Sequence, residues 1–126
     1  MAATTPEEVA DAFAAALARR DLDGALAMWS EDAAIVAADG SLVEGRVAIR
    51  EALDALLSNG ADVQIELAGL FQAGGIALAT GSLTLSGEGF EQRSESTVVY
   101  ARGADGRWRI ALDAPWGLPS RDGRAG

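Results

Sequence analysis

The sequence predicts an α+β domain with helices on one face of a curved antiparallel sheet. In the first half of the chain, apolar residues recur at helical spacing. The second half reads as long alternating strands separated only by turn residues. Helices first and a strand meander after is the α+β order, and strands joined by short turns pair antiparallel. The size fits as well: 126 residues, 49% hydrophobic and 23% charged, suit a soluble domain with one core.

The first helix opens at Thr5-Pro6-Glu7-Glu8. Thr5 caps, Pro6 fits the first helical position and Glu8 completes a capping box. Val9, Phe13, Ala16 and Leu17 form its apolar face, and Arg19 and Arg20 sit where cations suit the helix dipole. Asp21 caps a second, short helix through Leu22, Leu26 and Trp29, which Ser30-Glu31-Asp32 ends. Ala33 to Ala38 is a strand, Asp39-Gly40 a tight turn, and Ser41 to Glu44 the return strand. Gly45-Arg46 leads into a third helix with the stripe Ile49, Leu53, Leu56 and Leu57, closed by Asn59-Gly60. Strands follow over Val63 to Phe71, Ile76 to Ser86 and Gln92 to Arg102. The last runs from Arg107 to Trp116, after the turn Gly103 to Gly106. A single domain thus spans residues 1–116, and 117–126 reads as a flexible polar tail.

Composition narrows the chemistry. The chain has no His, no Cys and no Lys, so all ten basic residues are Arg. Ser-His-Asp and Cys-His nucleophile systems, a Lys Schiff base, Cys/His zinc sites and haem with a His or Cys ligand are therefore excluded. Proton transfer falls to Asp, Glu, Ser, Thr, water or the single Tyr100. No acids have the spacing of a calcium loop, so no metal is expected. A net charge of −9 disfavours nucleic acid as a partner. No stretch is long and apolar enough to cross a bilayer and no export signal is visible, so no membrane partner and a cytoplasmic location are expected.

Three segments carry a resemblance: Ala18 to Ala33 (ARRDLDGALAMWSEDA), Val43 to Leu53 (VEGRVAIREAL) and Asp105 to Asp113 (DGRWRIALD). Together they resemble the SnoaL-like, or nuclear transport factor 2-like, superfamily. The resemblance implies a cone made from a bent sheet wrapped around helices, enclosing an apolar pocket, usually in a homodimer. The superfamily includes ketosteroid isomerase, polyketide cyclases, limonene epoxide hydrolase and scytalone dehydratase. It also includes members that only bind or assemble, such as the association domain of calmodulin-dependent kinase, so the fold does not fix the activity.

Each chemistry can be tested on this chain's residues. The isomerase pattern places its Tyr on Phe13, its base on Ala37 and its protonated acid near Thr97 or Val98, and none of these can act as required. The cyclase pattern places an acid on Asp113, but its second polar partner is a His, which this chain lacks. In an apolar pocket, Asp113 would have a raised pKa and could remove a proton next to a carbonyl. The epoxide-hydrolase pattern is offered by Arg93 and Glu95 with Asp113 as second acid. An even-length hairpin loop points Glu95 and Asp113 to opposite faces, whereas an odd loop or a bulge brings them together. Phe13, Trp29, Ala37, Val98 and Trp116 are expected to line the pocket.

Plainer readings stand beside these. The alternation Trp108, Ile110, Leu112, Ala114, Trp116 puts Asp113 on the outer sheet face, where it would pair with an Arg such as Arg109 across a dimer. Arg93 and Glu95 read as a surface cross-strand pair, Tyr100 as a packed ring with its hydroxyl at the surface, and Glu66 as solvated. The expected function is a cofactor-independent isomerase, cyclase or dehydratase acting on a hydrophobic carbonyl compound, with Asp113 as base. A binding or assembly domain without catalysis is the alternative.

Overall fold

The computed structural model describes residues 4–118 of the chain. Of the expected tail, residues 119–126 lie outside the described part. Three helices precede most of a six-stranded sheet: α1 (Pro6–Ala18), α2 (Leu22–Leu26), β1 (Trp29–Val36), β2 (Leu42–Glu44), α3 (Arg46–Ser58), β3 (Asp62–Ala73), β4 (Ile76–Gly87), β5 (Phe90–Arg102) and β6 (Trp108–Ala114). The strand order is β2-β1-β6-β5-β4-β3, in a curved sheet that does not close.

The helix signals act locally as the residues suggest. The Thr5 hydroxyl accepts from the Glu8 backbone N–H and Asp21 accepts from Gly24, which satisfies free donors at two helix starts. The reciprocal capping-box bond is replaced. The Glu8 carboxylate takes the hydroxyls of Thr4 and Thr5 instead. Val9, Phe13, Ala16 and Leu17 bury the inner face of α1, and Ile49 and Leu53 bury that of α3.

Two expectations are corrected. The second helix stops at Leu26, and Trp29 begins β1, so Asp32 lies within a strand rather than ending the helix. The spacing of Leu22, Leu26 and Trp29 suits a helix. However, Trp29 packs edge-on against Phe13, with ring centroids 5.6 Å apart, and pairs with Ile110. The sheet is also not antiparallel throughout, because β1 and β6 run parallel. The long excursion through α3 and the meander brings β6 back beside β1, a crossover that local turn signals do not report.

The meander is bent by two irregularities. In β3 the register with β4 steps at Ala68, between the pairs Leu67–Gly81 and Gly69–Thr80. In β6 it steps at Ala111, between Val99–Leu112 and Tyr100–Ile110. Such bulges kink a strand and deepen its twist. At the first one the Glu66 carbonyl presses on Gly81, where any Cβ would collide with it.

Arg20 holds the helices over the concave face. It takes a left-handed backbone (φ 57°), and its guanidinium donates to the carbonyls of Leu57 (2.7 Å) and Ala61 (2.9 Å) at the far end of α3.

Replacing Gly81 with Ala should destabilise the fold by about 2–3 kcal/mol, read as a lower urea midpoint with an unchanged slope.

Candidate functional site

A cavity of about 270 Å³ lies between α1, α3 and the concave face of the sheet. Phe13 and Leu17 of α1, Leu53 and Leu56 of α3, and Trp29 at the start of β1 form its apolar walls. The polar groups bordering it are few: Asn59, Thr80, Ser96, Tyr100 and Asp113. This combination, apolar walls with few polar groups, is what small-molecule sites have.

Asp113 enters the cavity because of the bulge. Asp113 pairs with Val98, and Ile110 pairs with Tyr100, so all four side chains stand on the concave side. Ile110 and Asp113 are three residues apart, and regular alternation would separate them. The unmatched Ala111 between them reverses the parity. The expected outer-face alternation therefore fails at Leu112, which turns outward and is 37% exposed. Arg109 does not serve Asp113 either. It is held by Asp105 at 2.7 Å.

Among the described residues, Asp113 makes no ion pair and its hydration is replaced by apolar walls. The surface it keeps accessible is explained by the cavity it borders. Loss of hydration alone lifts its carboxyl from 3.8 to about 7. Tyr100 is 2% exposed rather than carrying its hydroxyl to the surface. Burial, then the charges of Asp113 and Asp11, raises its phenol above the ordinary value, so it stays protonated and able to donate.

Other expected residues fall where the register sends them. Phe13, Trp29, Val98 and Trp116 border the cavity, and Trp116, 38% exposed, does so beyond the end of β6. Ala37 does not. It lies past β1, its N–H bonded to Ser41 in the turn. Arg93 and Glu95 face the convex side, around a separate recess with Glu66 and Ser82. The loop between β5 and β6 has five residues, Gly103 to Arg107, and β6 carries one bulge. Each shift alone would bring Glu95 and Asp113 to one face, and together they cancel. The epoxide-hydrolase arrangement is therefore absent. Ser96 and Asn59 were not anticipated. Ser96 shares the parity of Val98 and Tyr100, a signal available in the sequence, whereas Asn59 reads there only as a helix cap.

Among the described residues, no group of three or more acidic side chains is placed to hold a metal ion, and no helix is long and apolar enough to cross a membrane.

Residues 10–110 match the family described as SnoaL-like domain. No curated protein matches the chain. Among solved structures, one from Thiobacillus denitrificans is provisionally described as a calcium/calmodulin-dependent protein kinase type II association domain. It is 26% identical, with a TM-score of 0.76, over 90% of this chain and 95% of that one. An NTF-2 like protein of unknown function from Shewanella oneidensis is 18% identical (TM-score 0.71, covering 86% and 93%). A ketosteroid isomerase-like protein from Erwinia carotovora is 17% identical (TM-score 0.68, covering 86% and 89%). These last two likenesses establish the shared fold.

With the Asp113 carboxyl raised in the folded state, the fold binds more protons than the unfolded chain between about 3.8 and about 7. The stability Asp113 contributes is complete below that window and is lost as pH rises through it. Urea titrations should show the wild type losing on the order of 3 kcal/mol across the window relative to Asp113→Asn. Carboxyl NMR should place the Asp113 midpoint near the top of it.

Proposed function

This chain belongs to the SnoaL-like family, and we propose that it is a cofactor-independent enzyme that moves a proton on a neutral, hydrophobic carbonyl compound, with Asp113 as the base. The observation that carries this reading is a lone carboxyl, raised to about 7, in an apolar cavity. A base works best when its pKa lies near the working pH, and this one is available in part of the population at neutrality.

Isomerisation is the reaction that one carboxyl can complete. Asp113 takes a proton from the carbon next to the carbonyl. The C–H electron pair moves into the enolate, and the developing charge on oxygen accepts a hydrogen bond from the Tyr100 hydroxyl. The proton held on Asp113 then returns to a different carbon of the conjugated system. Aldol-type cyclisation begins with the same abstraction. Dehydration needs an acid for the leaving oxygen as well.

A second reading is binding without catalysis. It is favoured by the single carboxyl that borders the cavity among the described residues, with no second acid–base group among them beyond Tyr100. Proton exchange by the wild type on a bound ketone separates the two.

The reading includes a homodimer. Phe71, Leu78, Val99 and Leu112 stand opposite one another across four strands on the convex face. Phe71 is 67% exposed. A two-fold axis would lay this row against its own copy, covering both with one surface. Leu78→Glu should shift the protein to monomer in sedimentation.

Activity is read as exchange of α-protons for deuterium, and as double-bond migration, in a panel of cyclic β,γ-unsaturated ketones. Asp113→Asn should lower the rate about 10³-fold, and Tyr100→Phe about 10²-fold with the loss mainly in kcat. The wild-type rate should rise with pH through about 7, as Asp113 ionises. Bound ketones that exchange no protons would reject catalysis in favour of binding alone.

A further inference from the structure

Among the described residues, Asp113 is the one charged side chain that borders the cavity. Among the described residues no arginine borders it, and the chain has no lysine or histidine. An anionic ligand would therefore meet no counter-charge inside and one like charge. A phosphate, a sulfate or a carboxylate would give up its hydration there without compensation.

For a cation the same features act in the opposite sense. The Asp113 carboxylate has no ion-pair partner among the described residues, so an organic ammonium would supply the charge the cavity lacks. Four aromatic side chains border the space with it: Phe13, Trp29, Tyr100 and Trp116. Aromatic rings attract a desolvated ammonium through their quadrupole, and Trp does so best. Phe13 and Trp29 are locked together edge to face, so their rings are set before a ligand arrives. The net charge of −9 also raises the concentration of cations around the molecule as a whole.

We propose that the cavity binds lipophilic organic cations, namely protonated arylalkyl amines and small quaternary ammonium compounds, with the nitrogen against Asp113 and the hydrocarbon among the aromatic side chains. This goes beyond the carbonyl reaction. It uses the same cavity but needs no proton transfer, and it makes such amines competitors of the neutral substrate.

The test is calorimetric titration at about pH 8 with three probes on one skeleton: 1-naphthylmethylamine, 1-naphthalenemethanol and 1-naphthoate. The amine should bind wild type roughly tenfold or more tightly than the alcohol, and the carboxylate should not bind detectably. In Asp113→Asn the amine's advantage should vanish while the alcohol keeps its affinity, which also reports that the variant's cavity is intact. An amine that binds no better than the alcohol overturns the proposal. So does an advantage that survives in Asp113→Asn, or a failure of every probe to bind. The two readings of the cavity fail separately. Amine preference without α-proton exchange rejects the base chemistry alone, and exchange without amine preference rejects only the cation site.

Discussion

A carboxylate enclosed by hydrocarbon gives up its hydration, and without a partner it recovers little in exchange. Asp113 is in that position. A neighbouring arginine would have settled the problem by pinning the group as a permanent anion, and full burial with no opening would have left it a permanent acid. The cavity does neither. It leaves the group balanced between its two protonation states near neutrality, so a ligand's own charge can tip it. The neutral phenol of Tyr100 adds a donor without adding charge. Among the described residues, the site sets an acid in place with no cation beside it.

That balance depends on backbone geometry some distance from the carboxyl. Ala111 reverses the parity of β6, and the five-residue loop before it makes the companion shift that keeps Glu95 on the far side. Ala68 and the glycine contact at Gly81 bend β3 and β4. Arg20 then ties the end of α3 to the corner between α1 and α2, and α3 forms one wall of the cavity. Loss of regular pairing at these two points bends the meander around the cavity.

Much of this architecture is legible in the residues. Thr5 and Pro6 mark a helix start, Val9, Phe13 and Leu17 mark its inner face, and Asp39-Gly40 marks the first hairpin, because caps, periodicity and turns are local physics. Asp113 is legible as a candidate for a different reason: one acid in an apolar strand stands out chemically. Its orientation is not legible. Ala111 carries no feature that announces a bulge, and simple alternation through Leu112 gives the opposite face. Trp29 shows the same limit, since its spacing suits a helix while its packing against Phe13 and pairing with β6 are tertiary. The β1–β6 pairing joins segments far apart in the chain, and only the folded structure makes it visible.

The hollow itself owes much to short side chains. Ala10, Ala52, Ala55 and Ala79 border it on three different elements, where bulkier residues would fill the space. Each is a place where one added methyl or ethyl group would trim the room available, without touching the acid or the pairing of the strands. A lineage carrying this scaffold could therefore retune the girth of the hollow in single steps, from room for a broad ring system to room for a narrow chain, while the Asp113 end stayed as it is.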